Sequence, residues 1–226
     1  MHIEPGIVDG AKITLSYATA AGSFGLAAKM ALETIRTEGA GALALRSLCT
    51  TALVFSFFEV FPHHAVGVSE VHLILGSTLF LIFGAGATGL GLALGLLLQG
   101  LFFAPFDLPQ YGMNVTTLLV SLYAMTFLAK RIIPQATAYK DVGYGQALLL
   151  STAYQGGTVA WVAFWSLYGG GLGAQNLAAT ASFGAAYMLV IVLEPLIDLG
   201  VLALAKLSGR FKGLPLLHNR IYHAGA

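Results

Sequence analysis

The sequence begins Met1-His2-Ile3-Glu4-Pro5-Gly6, which sets an imidazole beside a terminal amine. The amine of Met1, the backbone nitrogen of His2 and its ring Nδ1 can close fused chelate rings, lying roughly in one plane, around one ion. A fourth nitrogen from another histidine would complete a square, the geometry associated with Ni(II) or Cu(II). Zn(II) prefers a tetrahedron, whereas Mg(II) and Ca(II) want oxygen donors. Such a chelator works only at a true terminus, and a bulky second residue favours keeping the initiator methionine. The other groups able to do chemistry are spread along the chain: His63, His64, His72, Gln99, Asn114, Glu194, Asp198, His218 and His223. Cys49 is the single cysteine, so there is neither a disulfide framework nor a thiolate cage. No GxxxxGK[ST] phosphate loop occurs, so ATP hydrolysis by that route would need a separate motor.

The elements that must position these groups follow from composition. The 226 residues are 57% hydrophobic and only 9% charged, against about 25% charged in soluble domains. That deficit implies an all-α, polytopic membrane protein. The net charge of +1 excludes a strongly basic nucleic-acid binder. A spanning helix needs about 20 mostly apolar residues, which places helices near 12–32, 42–61, 71–85, 87–104, 113–133, 146–168 and 177–205. They form one transmembrane domain over 1–226, with an N-terminal segment 1–11 and a tail 206–226. The third helix is short, and the run GAGATGLG separates it from the fourth. Ala18-Thr19-Ala20 resembles a signal cleavage site, but Glu4 and Asp9 precede the apolar run, so the mature protein is expected to keep Met1.

Lys and Arg total 11. With seven spans, Lys29, Arg36, Arg46, Lys130, Arg131, Lys140, Lys206, Arg210, Lys212 and Arg220 share one side, and Lys12 alone takes the other. By the positive-inside rule the C-terminus is cytoplasmic and the N-terminus outside. Losing one span would scramble this separation.

That topology puts Met1 and His2, the turn before His72, Gln99 and Asn114 on the outer face. His72 at a helix start is either an interfacial side chain or a ligand. Gln99 and Asn114 serve either as interhelical hydrogen-bond glue or as support beside a ligand. His63 and His64 read as solvated loop residues, or as a transient capture point, and His218 and His223 as exposed tail residues. Glu194 and Asp198 share one face of the last helix, near the cytoplasmic interface by residue count. They would snorkel or pair with Lys130 or Arg131, or else relay protons or cations. The pairs Ala18/Gly22 and Ala21/Gly25 mark a helix-packing face.

MHI at the N-terminus, FEVFP…VSEVHLILG (Phe58 to Gly76) and LLLQGLFF…YGMN (Leu96 to Asn114) resemble the CbiM/NikM family. Its members are substrate-binding membrane components of energy-coupling-factor importers for cobalt and nickel. The resemblance implies a seven-helix bundle whose extra N-terminal helix tucks the terminus into the core. It implies metal ligation by Met1 (amine), His2 (backbone nitrogen and ring) and His72 (ring), with Gln99 and Asn114 close by. It also implies work beside a transmembrane coupling subunit and a cytoplasmic ATPase pair, in some members with an additional small membrane subunit. The outer loop here reads PFDLPQYG where the family has a glycine-rich segment, and Glu59 replaces a neutral residue.

The sequence therefore reads as the capture subunit of an ATP-driven importer in a bacterial cytoplasmic membrane. It is not an enzyme; it needs no catalytic cofactor and carries Co(II) or Ni(II) as cargo. A rival reading is a self-sufficient secondary transporter driven by protons through Glu194 and Asp198. A second rival, an intramembrane enzyme using His72 with Glu70 or Asp107, lacks a nucleophile–base spacing.

Overall fold

The structure is a computed structural model that describes residues 3–207 and 214–223. Met1 and His2, and with them the terminal chelate, lie outside the described residues, as do Arg210 and Lys212.

The described residues form seven α-helices: α1 (Thr14–Glu38), α2 (Ala40–Glu59), α3 (Gly76–Phe83), α4 (Ala85–Phe102), α5 (Tyr111–Ile132), α6 (Tyr144–Gly170) and α7 (Ala174–Leu207). A short antiparallel hairpin, β1 (His64–Val66) with β2 (Ser69–Val71), follows α2. α2, α4, α7 and the span Pro105–Ile132 are each long and apolar enough to cross a membrane. Leu189, Val192, Leu193 and Leu196 of α7 face outward, which water would penalise by about 25 cal/mol per Å² and lipid would not. The chain is a multi-pass membrane protein.

Successive helices run in alternating directions between two ends. At one end lies the hairpin, where Gly67 leaves no room for a Cβ beside the Ala179 carbonyl of α7. Gly169 of α6 packs there on the Ile7 carbonyl and accepts the Lys12 ammonium at 2.9 Å. The opposite end gathers the α1–α2 and α3–α4 junctions, the end of α5 and residues 214–223. There Arg46 pairs with Glu38 at 2.8 Å and donates to the carbonyls of Pro215 and Leu217. Arg220 donates to the Pro134 carbonyl, and Lys206 pairs with Asp141 at 3.2 Å. Arg46, Lys140, Lys206 and Arg220 thus share the tail end, while Lys12 sits at the hairpin end.

Two stretches differ from the sequence expectation. The third helix starts at Gly76 rather than near Val71, because Ser69–Val71 pairs as a strand and Leu75 takes a left-handed conformation at φ 55°. Only Gly84, at φ +83°, breaks the glycine run. Gly86, Gly91 and Gly95 instead lie inside α4, where an added Cβ would strike Thr34, Thr50 and Val54 of α1 and α2. Small residues give backbones this close approach without any hydrophobic drive. The Ala18, Ala21, Gly22 and Gly25 stripe of α1 faces outward, and a Cβ added at either glycine would meet nothing within 4 Å.

Candidate metal centre

His72 is buried at 1% exposure, at the end of the extended segment that leads into α3. Glu70 stands two residues earlier, and in extended chain residues i and i+2 share a face. Its Oε2 lies 2.9 Å from His72 Nε2. A carboxylate only accepts, so Nε2 carries the hydrogen and the ring lone pair is on Nδ1. A ligand histidine oriented by a carboxylate on its other nitrogen is the usual arrangement at metal sites. Phe58 meets the ring edge-on at 5.1 Å. His63 stacks on His72 at 4.8 Å and 19° while staying partly exposed, and His64 is exposed.

The N-terminal segment from Ile3 enters the same region. Ile3 forms an antiparallel bridge with Ser69, and Glu4 N–H donates to the Val68 carbonyl at 3.2 Å. Ile3 N–H donates to Asn114 Oδ1 at 3.0 Å, across 111 residues of sequence. The segment is therefore pinned both to the hairpin and to the first turn of α5. Gln99 and Asn114 line one narrow crevice with Asp107, Leu108 and Tyr111. Among the described residues Gln99 Oε1 and Asn114 Nδ2 have no hydrogen-bond partner. Burial raises the Glu4 carboxyl above its usual value, and the charge of Glu70 adds to this. Asp107 lies within electrostatic reach of both acids, so the hairpin end carries a patch attractive to cations. Among the described residues no three His, Cys, Asp or Glu side chains come close enough to hold a metal together.

Glu194 and Asp198 do not snorkel, and neither meets Lys130 or Arg131. Both are buried, at 0% and 1% exposure. Glu194 accepts from Ser77 N–H at 3.1 Å, Ser151 at 2.9 Å and Gln155 at 2.8 Å. Asp198 accepts from Ser77 Oγ at 2.7 Å and from Thr78. Lys130 instead reaches Glu33, and Arg131 lies over Phe127. Both sit inside α7, whose 34 residues span about 51 Å at 1.5 Å per residue, longer than a bilayer core of about 30 Å. The expectation that His218 is an exposed tail residue also fails. It stacks on Tyr139 at 5.6 Å and sits 3.4 Å from Glu38, and its N–H bonds the Ile82 carbonyl.

The profile of the CbiM family, described as the cobalt uptake substrate-specific transmembrane region, matches residues 2–208. The chain belongs to this family. Its members are transporter components rather than catalysts. The fold is shared with a crystal structure of a truncated transition metal transporter at TM-score 0.68 and 15% identity, covering 91% of this chain and 98% of that one. A second crystal structure, of a transition metal transporter, aligns at TM-score 0.58 and 17% identity over 94% and 100% of the two chains. No curated protein matches the sequence.

Proposed function

We propose that this CbiM-family chain captures Ni(II) or Co(II) as the substrate subunit of an ATP-driven importer. The Met1 amine, the His2 backbone nitrogen and ring, and the His72 ring supply four nitrogens. Asn114 holds the terminal segment in place, and Gln99 lies beside it. The N-terminus faces outside and the tail faces the cytoplasm of a bacterial inner membrane. A transmembrane coupling subunit and an ATPase pair drive release, in some systems with an additional small membrane subunit.

One observation carries this reading: Ile3, the neighbour of His2, is tied to Ser69 and Asn114 at the hairpin that ends beside His72. Glu70 supports it by accepting the His72 Nε2–H and so orienting the ring, as a carboxylate does for a ligand histidine.

The test is metal content per chain after purification of untagged protein from cells given nickel and cobalt. The reading expects about one ion per native chain and a sharp loss in His72→Ala. A native chain without either metal, or a His72→Ala chain that keeps it, contradicts the reading.

A further inference from the structure

We infer that Glu194 and Asp198 are positioning residues for His72, acting through the start of α3. The inference rests on His72 being a metal ligand, as proposed above. Only residues 73–76 separate His72 from Ser77, and this stretch has no slack. Ile74 is buried at 0% exposure, and Leu75 holds φ 55° and ψ 43°. A left-handed conformation is unfavourable for a leucine and persists only where its surroundings enforce it. Gly76 is jammed against Tyr154, where an added Cβ would lie 2.3 Å from the ring. Tyr187 of α7 lies against the His72 backbone.

The far end of this stretch is where α7 takes hold. Glu194 accepts the Ser77 N–H, one of the free first-turn donors of α3, while Asp198 accepts the hydroxyls of Ser77 and Thr78. Helix starts are ordinarily capped by a neighbouring Ser, Thr, Asp or Asn at little cost. Here the N-cap residue is Leu75, with no capping side chain, and the cap comes from a carboxylate 117 residues away. Among the described residues no Lys, Arg or His pairs with either acid, so two carboxylates are buried without a counter-cation. Buried acids in spanning helices are expensive and are kept where they do something. A local cap would fix α3 equally well. What the distant pair adds is a rigid tie between α7, which runs from the hairpin end to the tail end, and the segment carrying His72. Motion of α7 against α3 would pull on the His72 backbone and loosen a bound ion.

The experiment measures the release rate of Ni(II) from full-length protein in detergent, chased with excess chelator, together with the ligand-field spectrum of the bound ion. Glu194→Ala and Asp198→Ala, which remove the acceptors altogether, should each release Ni(II) at least tenfold faster and shift the spectrum, in protein that remains monodisperse. A purely structural cap would lower yield or melting temperature and leave release and spectrum of the folded fraction native. Because either variant could misfold, Leu75→Gly and Leu75→Ala form a second arm. Both lose the leucine side chain, but only glycine adopts φ 55° without cost. The Gly variant should hold Ni(II) at least threefold longer than the Ala variant. Native release rates in folded Glu194→Ala, or Leu75→Ala holding as long as Leu75→Gly, overturn the positioning role while leaving metal capture intact. A native chain that takes up no Ni(II) overturns both.

Discussion

Asn114→Ala removes one atom pair that joins the terminal segment to the helix bundle. In the native structure Asn114 is buried at 1% exposure and its Oδ1 accepts the Ile3 N–H at 3.0 Å. Alanine leaves that buried N–H without an acceptor, at a cost of about 1–3 kcal/mol. The Ile3–Ser69 bridge and the Glu4–Val68 hydrogen bond remain, so the segment should loosen rather than leave. If segment docking and metal binding are one event, the whole cost appears in affinity. With 1.36 kcal/mol per factor of ten, Ni(II) binding should weaken roughly 5- to 150-fold. Asn114→Asp keeps an acceptor and should stay close to native. The assay is competition against a chromophoric chelator in detergent, with circular dichroism to show that each variant is folded. A folded Asn114→Ala chain within twofold of native affinity would refute the reasoning, as would an Asp variant as weak as the Ala variant.

Three further outcomes follow from charge and placement. Cysteines introduced near Lys140 and Lys212 should label only in permeabilised cells; labelling of both in intact cells would reverse the orientation read from the basic residues. Ligands must shed protons to bind metal, and amines and imidazoles have reference values of about 7.7–8.0 and 6.5. Affinity should therefore fall as pH drops from about 8 to 6, and a flat profile would contradict ligation by the amine and imidazoles. His218 is pushed from 6.5 down to about 4, by burial first and then by Arg46 and Arg220 against the opposing pull of Glu38. A lowered folded value means this site stabilises above 6.5 and loses that contribution between 6.5 and about 4, by on the order of 3 kcal/mol. Protease cutting within 214–223 should rise across that window in the native chain and not in His218→Phe.

The long helices were legible because lipid demands continuous apolar stretches, and α2, α4, α5 and α7 each supply one. The third helix was misjudged because Val71–Leu75 is as apolar as a helix, and only strand pairing with residues earlier in the chain reveals its extended form. His72 was legible as a candidate; its partner Glu70 could have been found from the period-2 spacing of Ser69-Glu70-Val71-His72. No local signal joins Ile3 to Asn114, since 111 residues separate them and the bond uses a backbone donor that every sequence has. The shared face of Glu194 and Asp198 was visible from their i,i+4 spacing. Their partners on α3 and α6 were not, because serine and threonine occur throughout spanning helices. His218 looked solvated for want of neighbours in sequence, whereas its actual contacts, Tyr139 and Glu38, come from distant segments.

The central claim is that the amine of Met1 is a ligand, and a one-residue extension ahead of it tests this most directly. The extension converts that amine to an amide and moves the free amine out of the chelate, while leaving Ile3, Asn114 and His72 unchanged. The measurement is nickel and cobalt per chain in purified, monodisperse protein, native against extended, with a C-terminally tagged chain as control. The account predicts about one ion per chain in the native and tagged proteins and almost none in the extended one. An extended, folded chain that carries as much metal as the native chain would contradict it.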